Sequence, residues 1–275
     1  MDELYILARE VLLDALEALE QHLNAIILVG AQAIYLHVGD ADLAVATYTT
    51  DGDLALNPAL LGQKPTLDEA LTHAGFVPKT ADSVGIWLAH RETPTNPNVA
   101  IAVDLLVPQS VSPGSGRRAA KLNGHSHRAA RIVSGLEGAI IDNDPHMIAS
   151  LKADCARQMS ITVAGPAALL IAKVHKIHDR GSSPRVNDKD ALDVFRLLRG
   201  IPTENIASRW QKIMTNTKPN SVAANGIKLL EEQFGTRTAL GAQMIIRSLE
   251  GLMDADEIAK SCELLTTDLL FALKK

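Results

Sequence analysis

The spacing of the apolar residues changes at Gly165-Pro166, and no other feature of the sequence constrains the fold as strongly. Up to that point, short apolar runs typical of β-strands alternate with amphipathic segments; beyond it, the spacing is helical almost throughout. Residues 1–165 therefore predict a mixed αβ domain, and residues 166–275 predict an all-helical domain. With 275 residues, of which 47% are hydrophobic, the chain is long and apolar enough to build both cores.

Individual helices and strands are predicted from the same periodicities. Apolar residues three and four positions apart predict helices over residues 3–23, 31–38, 67–74, 167–178 and 188–198, with several more between 203 and 275. Short apolar runs bounded by turn residues predict strands over residues 25–29, 47–56, 85–91, 99–107, 131–133, 139–142 and 161–164. All the predicted strands therefore lie in the first domain.

Composition narrows the class of protein. Aromatic residues make up only 3% of the chain, which disfavours binding of single-stranded nucleic acid on aromatic stacking platforms. Cys155 and Cys262 cannot form a disulfide framework, and the N-terminus carries no basic leader. The longest apolar stretch, residues 25–36, is too short to span a bilayer. We therefore expect a soluble cytoplasmic protein without a membrane partner.

Two aspartates in the segment Thr49-Thr50-Asp51-Gly52-Asp53 carry the first chemical signal. On a strand, residues two apart point to the same face, so Asp51 and Asp53 are expected to project together. Two carboxylates this close repel each other unless a positive charge lies between them, and carboxylate oxygens are ligands that magnesium prefers. The alternative is a turn in which the aspartates hydrogen-bond to their own backbone.

A third aspartate, Asp104, lies in the middle of the apolar run Val99–Val107. Burying an aspartate there is costly unless the carboxylate is paired or bound to a metal. If the two strands are neighbours, the three carboxylates could hold two metal ions, one activating a hydroxyl and the other holding a triphosphate. The alternative for Asp104 is a polar residue that caps the end of a strand.

These segments resemble a known superfamily. Val29-Gly30 followed by a helix, then Thr49–Leu54, then Val103-Asp104-Leu-Leu, resembles the polymerase-beta-like nucleotidyltransferases. Leu169–Arg180 followed by Asn187–Leu198 is similar to the helical motif of the AbiEii-type toxins of type IV toxin–antitoxin systems, also called MenT-like toxins. The resemblance covers residues 25–198 and implies an α+β fold, in which a mixed or antiparallel sheet domain precedes an all-helical domain.

The resemblance also implies roles for individual residues. Catalytic roles fall to Asp51, Asp53, Asp104, Lys173 and Asp190, and the first three would bind Mg²⁺ or Mn²⁺. Gly30 would open the phosphate-binding turn, and Lys173 would contact the phosphates of the NTP. A surface lysine on an amphipathic helix is the alternative for Lys173, and a helix N-terminal acid is the alternative for Asp190.

The sequence departs from the superfamily in the spacing of 21 residues between Gly30 and Asp51, which is longer than in minimal members, and at two groups that would contact the nucleotide. Gly30 is followed by Ala31-Gln32 where the family usually has Gly-Ser or Gly-Gly, so the hydroxyl donor is missing unless Gln32 or Thr50 supplies another donor. The family often has an arginine just before the two aspartates, but residues 47–50 contain none, and Arg91 on a neighbouring strand is the predicted replacement.

The implied reaction is transfer of a nucleoside monophosphate from an NTP to an RNA acceptor such as the 3′ end of tRNA, in a toxin with a cognate antitoxin. A net charge of −5 does not itself indicate nucleic-acid binding. One stretch, however, is basic and free of acidic residues, and it is either a polyanion contact or a solvated loop. Its members are Arg117, Arg118, Lys121, Arg128 and Arg131, with His125 and His127 between them.

Two alternatives stay open: transfer to a protein hydroxyl, and a catalytically weakened module of the same fold that binds nucleotides or partners. A zinc site at His175 and His178 is disfavoured, because helical zinc sites favour histidines four positions apart. Ser112–Gly116 lacks the Gly-Lys-Ser/Thr ending of a Walker loop.

Overall fold

The protein is described here by a computed structural model that covers residues 2–39, 49–94, 96–112, 118–181, 188–217 and 219–274. The chain divides into two compact units. Unit 1 comprises Met1–Gln32, Thr47–Val133 and Asn143–Ala164, and unit 2 comprises Ala33–Ala46, Ser134–Asp142 and Gly165–Lys275. Two short segments of the first part of the chain, 33–46 and 134–142, are thus grouped with the helical unit.

Unit 1 is built on a mixed sheet. Its strands within the described residues are β1 (Ile26–Val29), β2 (Asp51–Leu56), β3 (Val77–Pro78), β4 (Ile86–Arg91), β5 (Val99–Pro108), β6 (Arg131–Val133), β7 (Asn143–Ala149) and β8 (Gln158–Ala164). The strand order is β3-β4-β5-β2-β1-β8-β7, and β6 pairs with β5. The pairs β1–β8, β2–β5 and β5–β6 are parallel and the remaining pairs are antiparallel.

Helices α1 (Glu3–Ala18) and α3 (Leu67–His73) belong to unit 1, and α2 (Gly30–Val38) begins there. A 3-10 helix, Glu20–Ala25, leads from α1 into β1. Asp2 caps α1 by accepting hydrogen bonds from the backbone N–H groups of Leu4 and Tyr5, because the first turn of a helix has no internal acceptors for them. The apolar face of α1 packs against β2 and β5.

Unit 2 contains the helices α4 (Pro166–Arg180), α5 (Asp188–Gly200), α6 (Thr203–Met214), α7 (Asn220–Phe234), α8 (Leu240–Ser248) and α9 (Ala255–Ala272). Its core is filled by large side chains, among which Phe195, Trp210 and Phe234 are fully buried. A mixed sheet followed by a helical region is the fold class that the sequence predicts, and this prediction is confirmed. None of the described helices combines the length and the apolar composition that crossing a membrane requires.

The sequence-based prediction is wrong around residue 140. Residues 139–142 were expected to be a strand, but a 3-10 helix (Glu137–Ile140) occupies this region and the strand that follows it, β7, was not predicted. Pro145 and the polar start of β7 hide its strand character. The strand tolerates proline because it lies at the edge of the sheet, where one row of backbone groups needs no partner.

Candidate active site

The candidate site lies on β2 and β5, two neighbouring parallel strands in the middle of the sheet. The register places Asp53 opposite Asp104 and Asp51 opposite Ala102. Paired residues on adjacent strands share a face of the sheet, and the strands are about 5 Å apart. Asp51 lies two residues before Asp53 and shares its face as well. The structure therefore places all three predicted carboxylates on one face of two adjacent strands.

Gly52 identifies the opposite face. A Cβ atom added at Gly52 would lie 3.1 Å from the Cδ1 atom of Leu12, so this position faces helix α1. Successive residues of a strand point to opposite faces, and the neighbouring Asp51 and Asp53 therefore point away from α1. The helix closes one side of the sheet with apolar packing, which leaves the carboxylates on the other side.

Gly30 lies against one of these carboxylates. Val29, the last residue of β1, is opposite Asp53 in the register, so Gly30 follows directly beside Asp53. Gly30 has a φ of +72°, and a Cβ atom added to it would lie only 2.1 Å from the Asp53 Oδ2 atom. Both the left-handed backbone and the close contact therefore require glycine. The residue predicted to open a phosphate-binding turn thus begins helix α2 next to a predicted metal ligand.

Asp51 is held by side chains of unit 1. The Thr49 hydroxyl donates a 2.5 Å hydrogen bond to Asp51 Oδ1, and Gln32 Nε2 donates to the Asp51 carbonyl oxygen over 3.1 Å. Gln32 is buried, and its Oε1 atom accepts a 2.8 Å hydrogen bond from Arg9 Nε. Gln32 thus fixes the start of β2, whereas Thr50, the other predicted donor, is exposed. Sequence reasoning missed Thr49, although a hydroxyl two positions before Asp51 was a usable signal.

Arg131 reaches Asp104, which the sequence-based interpretation did not anticipate. The Arg131 Nη2 group donates to Asp104 Oδ2 in a short ion pair. Strand β6 runs parallel to β5, with Arg131 opposite Leu106, so Arg131 and Asp104 share a face of the sheet. Gly85 makes this possible, because a Cβ atom there would lie 2.6 Å from the Arg131 backbone nitrogen.

The donor set fits a hard divalent cation. Asp51, Asp53 and Asp104 offer carboxylate oxygens, the ligands that Mg²⁺ and Mn²⁺ prefer, and the Arg131 guanidinium shows that a cation is accommodated at Asp104. In the arrangement described, no group of three or more histidine, cysteine, aspartate or glutamate side chains among the described residues is placed to hold a metal ion. Binding of one ion by all three aspartates would therefore require their side chains to rearrange.

Arg91 lies elsewhere. It pairs with Val99, whereas Asp104 pairs with Ile86, so Arg91 is five residues or about 17 Å further along β4. Its guanidinium forms a short ion pair with Asp14 on α1. The structure thus does not bring Arg91 to the three carboxylates, and the arginine that contacts Asp104 comes from β6 instead.

The basic stretch is divided between exposed and engaged residues. Arg118 and Lys121 are exposed, the Arg128 guanidinium donates to the Ala81 carbonyl oxygen, and Arg131 is engaged by Asp104. Arg117 lies outside the described residues. RNA binding through these residues stays a prediction.

His125 anchors the same stretch to the segment before α3. Its Nδ1 atom accepts from the Leu67 N–H over 3.1 Å, and its Nε2–H donates to the Gly62 carbonyl oxygen over 2.8 Å. The ring is half-buried, and this burial lowers the pKa of His125 below its ordinary value. His127, in contrast, is exposed.

The remaining predicted residues lie in unit 2, where they form a buried ion cluster between α4 and α5. Lys173 Nζ lies 2.8 Å from Asp190 Oδ1 and 2.7 Å from Asp193 Oδ2, and the lysine side chain is only 7% exposed. Burial alone would lower the pKa of Lys173, but the carboxylates of Asp193 and Asp190 outweigh it and raise the pKa above its ordinary value. Lys176 and Arg180 add 3.0 Å contacts to Asp190.

The charges of this cluster compensate one another, so both Lys173 and Asp190 are ionised in the folded protein. Burial would raise the pKa of Asp190, but the ammonium groups of Lys173 and Lys176 outweigh it and lower the pKa. The geometry shows a saturated ion cluster. Whether Lys173 and Asp190 also act on a nucleotide stays a prediction.

The sequence matches no protein-family model and no curated protein. Solved structures similar to this chain include an antigenic nucleotidyltransferase-like protein from Paracoccidioides brasiliensis, with 16% sequence identity and a TM-score of 0.42. The alignment covers 82% of this chain and 93% of that chain. A likeness this remote leaves the function to be argued from the residues of the site, and the narrower resemblance to AbiEii-type toxins stays a prediction.

Proposed function

We propose that the chain is a metal-dependent nucleotidyltransferase that moves a nucleoside monophosphate from an NTP to an acceptor hydroxyl. The observation that carries this proposal is the register of β2 and β5, which aligns Asp53 with Asp104 beside the start of α2 at Gly30. Carboxylates on one face of adjacent strands, next to a backbone turn without a Cβ atom, suit a triphosphate bound with divalent ions.

Asp51, Asp53 and Asp104 would hold the ions. A bound Mg²⁺ supplies charge neutralisation for the triphosphate and lowers the pKa of the attacking hydroxyl. The chain's own contribution is positioning: Thr49 orients the Asp51 carboxylate and Gln32 fixes the backbone of β2 below it. Gly30 leaves room for Asp53, and the backbone N–H groups at the start of α2 are free of helix partners, so they can face phosphate oxygens.

RNA is the acceptor that we propose, in the activity of a toxin controlled by a cognate antitoxin. The support comes from Arg118 and Lys121, two exposed basic residues in a stretch of the same unit that contains no acid. Exposed cations can contact phosphate groups without recognising sequence, as binding to an RNA end would require.

A second candidate is the catalytically weakened module, which one observation favours. Asp104 is already paired with Arg131, so a divalent ion at this position has to compete with a cation of the protein itself. If the ion does not displace the Arg131 guanidinium from Asp104, the fold would still bind nucleotides or partners without transferring a nucleotide.

The experiment incubates the protein with each α-³²P-labelled NTP, Mg²⁺ and total tRNA. We expect label on RNA, and a loss of about 100-fold or more in the Asp53→Asn variant, which keeps the side-chain shape but removes the ligand charge. Asp154→Asn is the matched control, because Asp154 is an exposed aspartate of the same unit in the turn between β7 and β8.

Each other outcome points to a different activity. Label on protein would replace RNA by a protein hydroxyl as the acceptor. Nucleotide binding without transfer to either acceptor would favour the weakened module. Full transfer activity in Asp53→Asn would show that the carboxylates on β2 and β5 are not the site.

A further inference from the structure

The Arg131–Asp104 pair places a partly exposed cation on one of the three carboxylates. The Asp104 side chain is only 12% exposed, whereas the Arg131 side chain is 35% exposed. The Arg131 Nε atom is buried and has no hydrogen-bond partner in the structure. Asp104 is thus fixed in the sheet, while the arginine that contacts it is long, partly solvated and incompletely satisfied.

A divalent ion and a guanidinium do not readily bind the same carboxylate at the same time. Both are positive, and their repulsion is strong where water is partly excluded. Arg131 donates to the Oδ2 atom of Asp104, so an ion at this oxygen would meet a guanidinium that is already bound there. An ion at Asp104 therefore requires the guanidinium to leave, and the guanidinium then needs another anion.

A triphosphate is a suitable new partner for Arg131. The planar fork of a guanidinium binds two phosphate oxygens as well as it binds a carboxylate. Arg131 lies on the face of the sheet that carries Asp53 and Asp104, where the proposed function places the triphosphate. The nucleotide could thus take up the guanidinium that the ion displaces.

We infer that Arg131 and the divalent ion compete for Asp104, and that an NTP relieves the competition by binding the guanidinium. This inference rests on the proposed function and adds a regulatory step to the same site. The ion binds weakly by itself, and ion and nucleotide bind cooperatively, since each favours the arrangement that the other needs. The pair thereby keeps the site closed to metal until a nucleotide arrives.

The test measures Mn²⁺ binding by electron paramagnetic resonance, without nucleotide, in the intact protein and in Arg131→Gln. We expect the variant to bind Mn²⁺ about fivefold more tightly or better, because the competing cation is gone. Arg131→Lys should fall between the two, since a lysine keeps the charge but loses the fork. Arg118→Gln is the matched control: it removes the same charge from an exposed arginine of the same stretch.

A second measurement follows the nucleotide. With Mn²⁺ saturating, the affinity for each α,β-methylene NTP should fall about tenfold or more in Arg131→Gln, because the phosphate loses a bidentate partner. Tighter Mn²⁺ binding together with weaker nucleotide binding is the signature of a shared arginine. A merely structural arginine would weaken both or neither.

Mn²⁺ affinity that is unchanged or lower in Arg131→Gln, in protein that keeps its circular dichroism spectrum, would overturn the inference. If that variant does not fold, Arg131→Lys takes its place, and this variant must then bind Mn²⁺ more tightly than the intact protein. The proposed function fails separately: its sign is Mn²⁺ binding that Asp53→Asn leaves unaltered.

Discussion

Replacing Gly30 by alanine tests the contact that joins the start of α2 to the carboxylates. The substitution has two costs. The left-handed backbone at φ +72° costs an alanine about 1 kcal/mol, and the added Cβ atom would lie 2.1 Å from Asp53 Oδ2. Ordinary van der Waals contact begins near 3.4 Å, so the Asp53 carboxylate has to move away by about 1 Å.

A displacement of this size affects chemistry more than stability. Misplacing a reacting or ligating group by about 1 Å can cost about 100-fold in rate, and disturbing the support of a metal ligand typically costs 10- to 100-fold in metal affinity, so we expect losses of about these sizes. The assays are nucleotide transfer to RNA, Mn²⁺ binding and urea unfolding.

Gly75→Ala is the matched control for Gly30→Ala. Gly75 also has a positive φ, +86°, but nothing lies within 4 Å of an added Cβ atom, so the control shares the backbone strain without the contact. Gly30→Ala should lose more stability than Gly75→Ala, because only Gly30→Ala adds a close contact to the shared backbone strain, and only Gly30→Ala should lose transfer and Mn²⁺ affinity. If the two variants transfer nucleotide and bind Mn²⁺ equally well, Gly30 does not support a metal ligand.

Two further predictions concern residues away from the three carboxylates. Lys173→Met should lower the free energy of unfolding in urea by about 1–3 kcal/mol, because the buried Asp190 and Asp193 lose their shared ammonium. The loss stays below that of an uncompensated buried charge, since Lys176, Arg180 and Arg196 still contact the two carboxylates. Lys176→Met, at a lysine that is 41% exposed, should cost less than about 1 kcal/mol, and equal losses would contradict the cluster. Burial lowers the pKa of His125, so as the pH falls this histidine is protonated in the unfolded chain at a higher pH than in the folded protein. The contribution of His125 to stability is therefore complete above the unfolded pKa of about 6.5 and is lost as the pH falls through the lowered folded pKa. The urea midpoint should therefore fall less between pH 7.5 and about pH 5 in His125→Gln than in the intact protein, and His127→Gln, at an exposed histidine of the same stretch, is the matched control.

Local periodicity suffices to predict most elements of this fold. The strand over residues 99–107 and the helices α4 and α5 are predicted within a few residues, because the spacing of apolar residues in each segment is enough to identify it. Strand β7 was missed because its residues do not alternate clearly between apolar and polar, and only its pairing with β8 makes it a strand. Pairing between distant segments has no local signature.

The predictions about the site divide in the same way: those that depend on local spacing can be made from the sequence, and those that depend on strand pairing cannot. That Asp51 and Asp53 share a face follows from their spacing, and that Asp104 needs a positive partner follows from its apolar surroundings. The sequence does not identify Arg131 as this partner. The contact arises because β6 pairs with β5 just beyond the part of β5 that pairs with β4. The sequence does not exclude Arg91 either, whose distance from Asp104 is set by the register of β4.

The departure at Ala31-Gln32 bears on the choice between an active enzyme and a weakened module. The resemblance predicts a hydroxyl donor at this turn, and its absence would weaken binding of the triphosphate.

In the structure, the Gln32 side chain instead points inward and joins Arg9 to the Asp51 carbonyl oxygen, while the Thr49 hydroxyl orients the Asp51 carboxylate. Under the proposed function, the departure at Ala31-Gln32 would therefore cost a contact to the nucleotide and leave the support of Asp51 in place. An interaction that substrate and transition state share equally raises KM when it is lost and leaves kcat unchanged. The missing hydroxyl thus predicts an enzyme with a raised KM for the NTP and an unchanged kcat. A loss of kcat would have to come from the carboxylates themselves, where Arg131 is the competing cation.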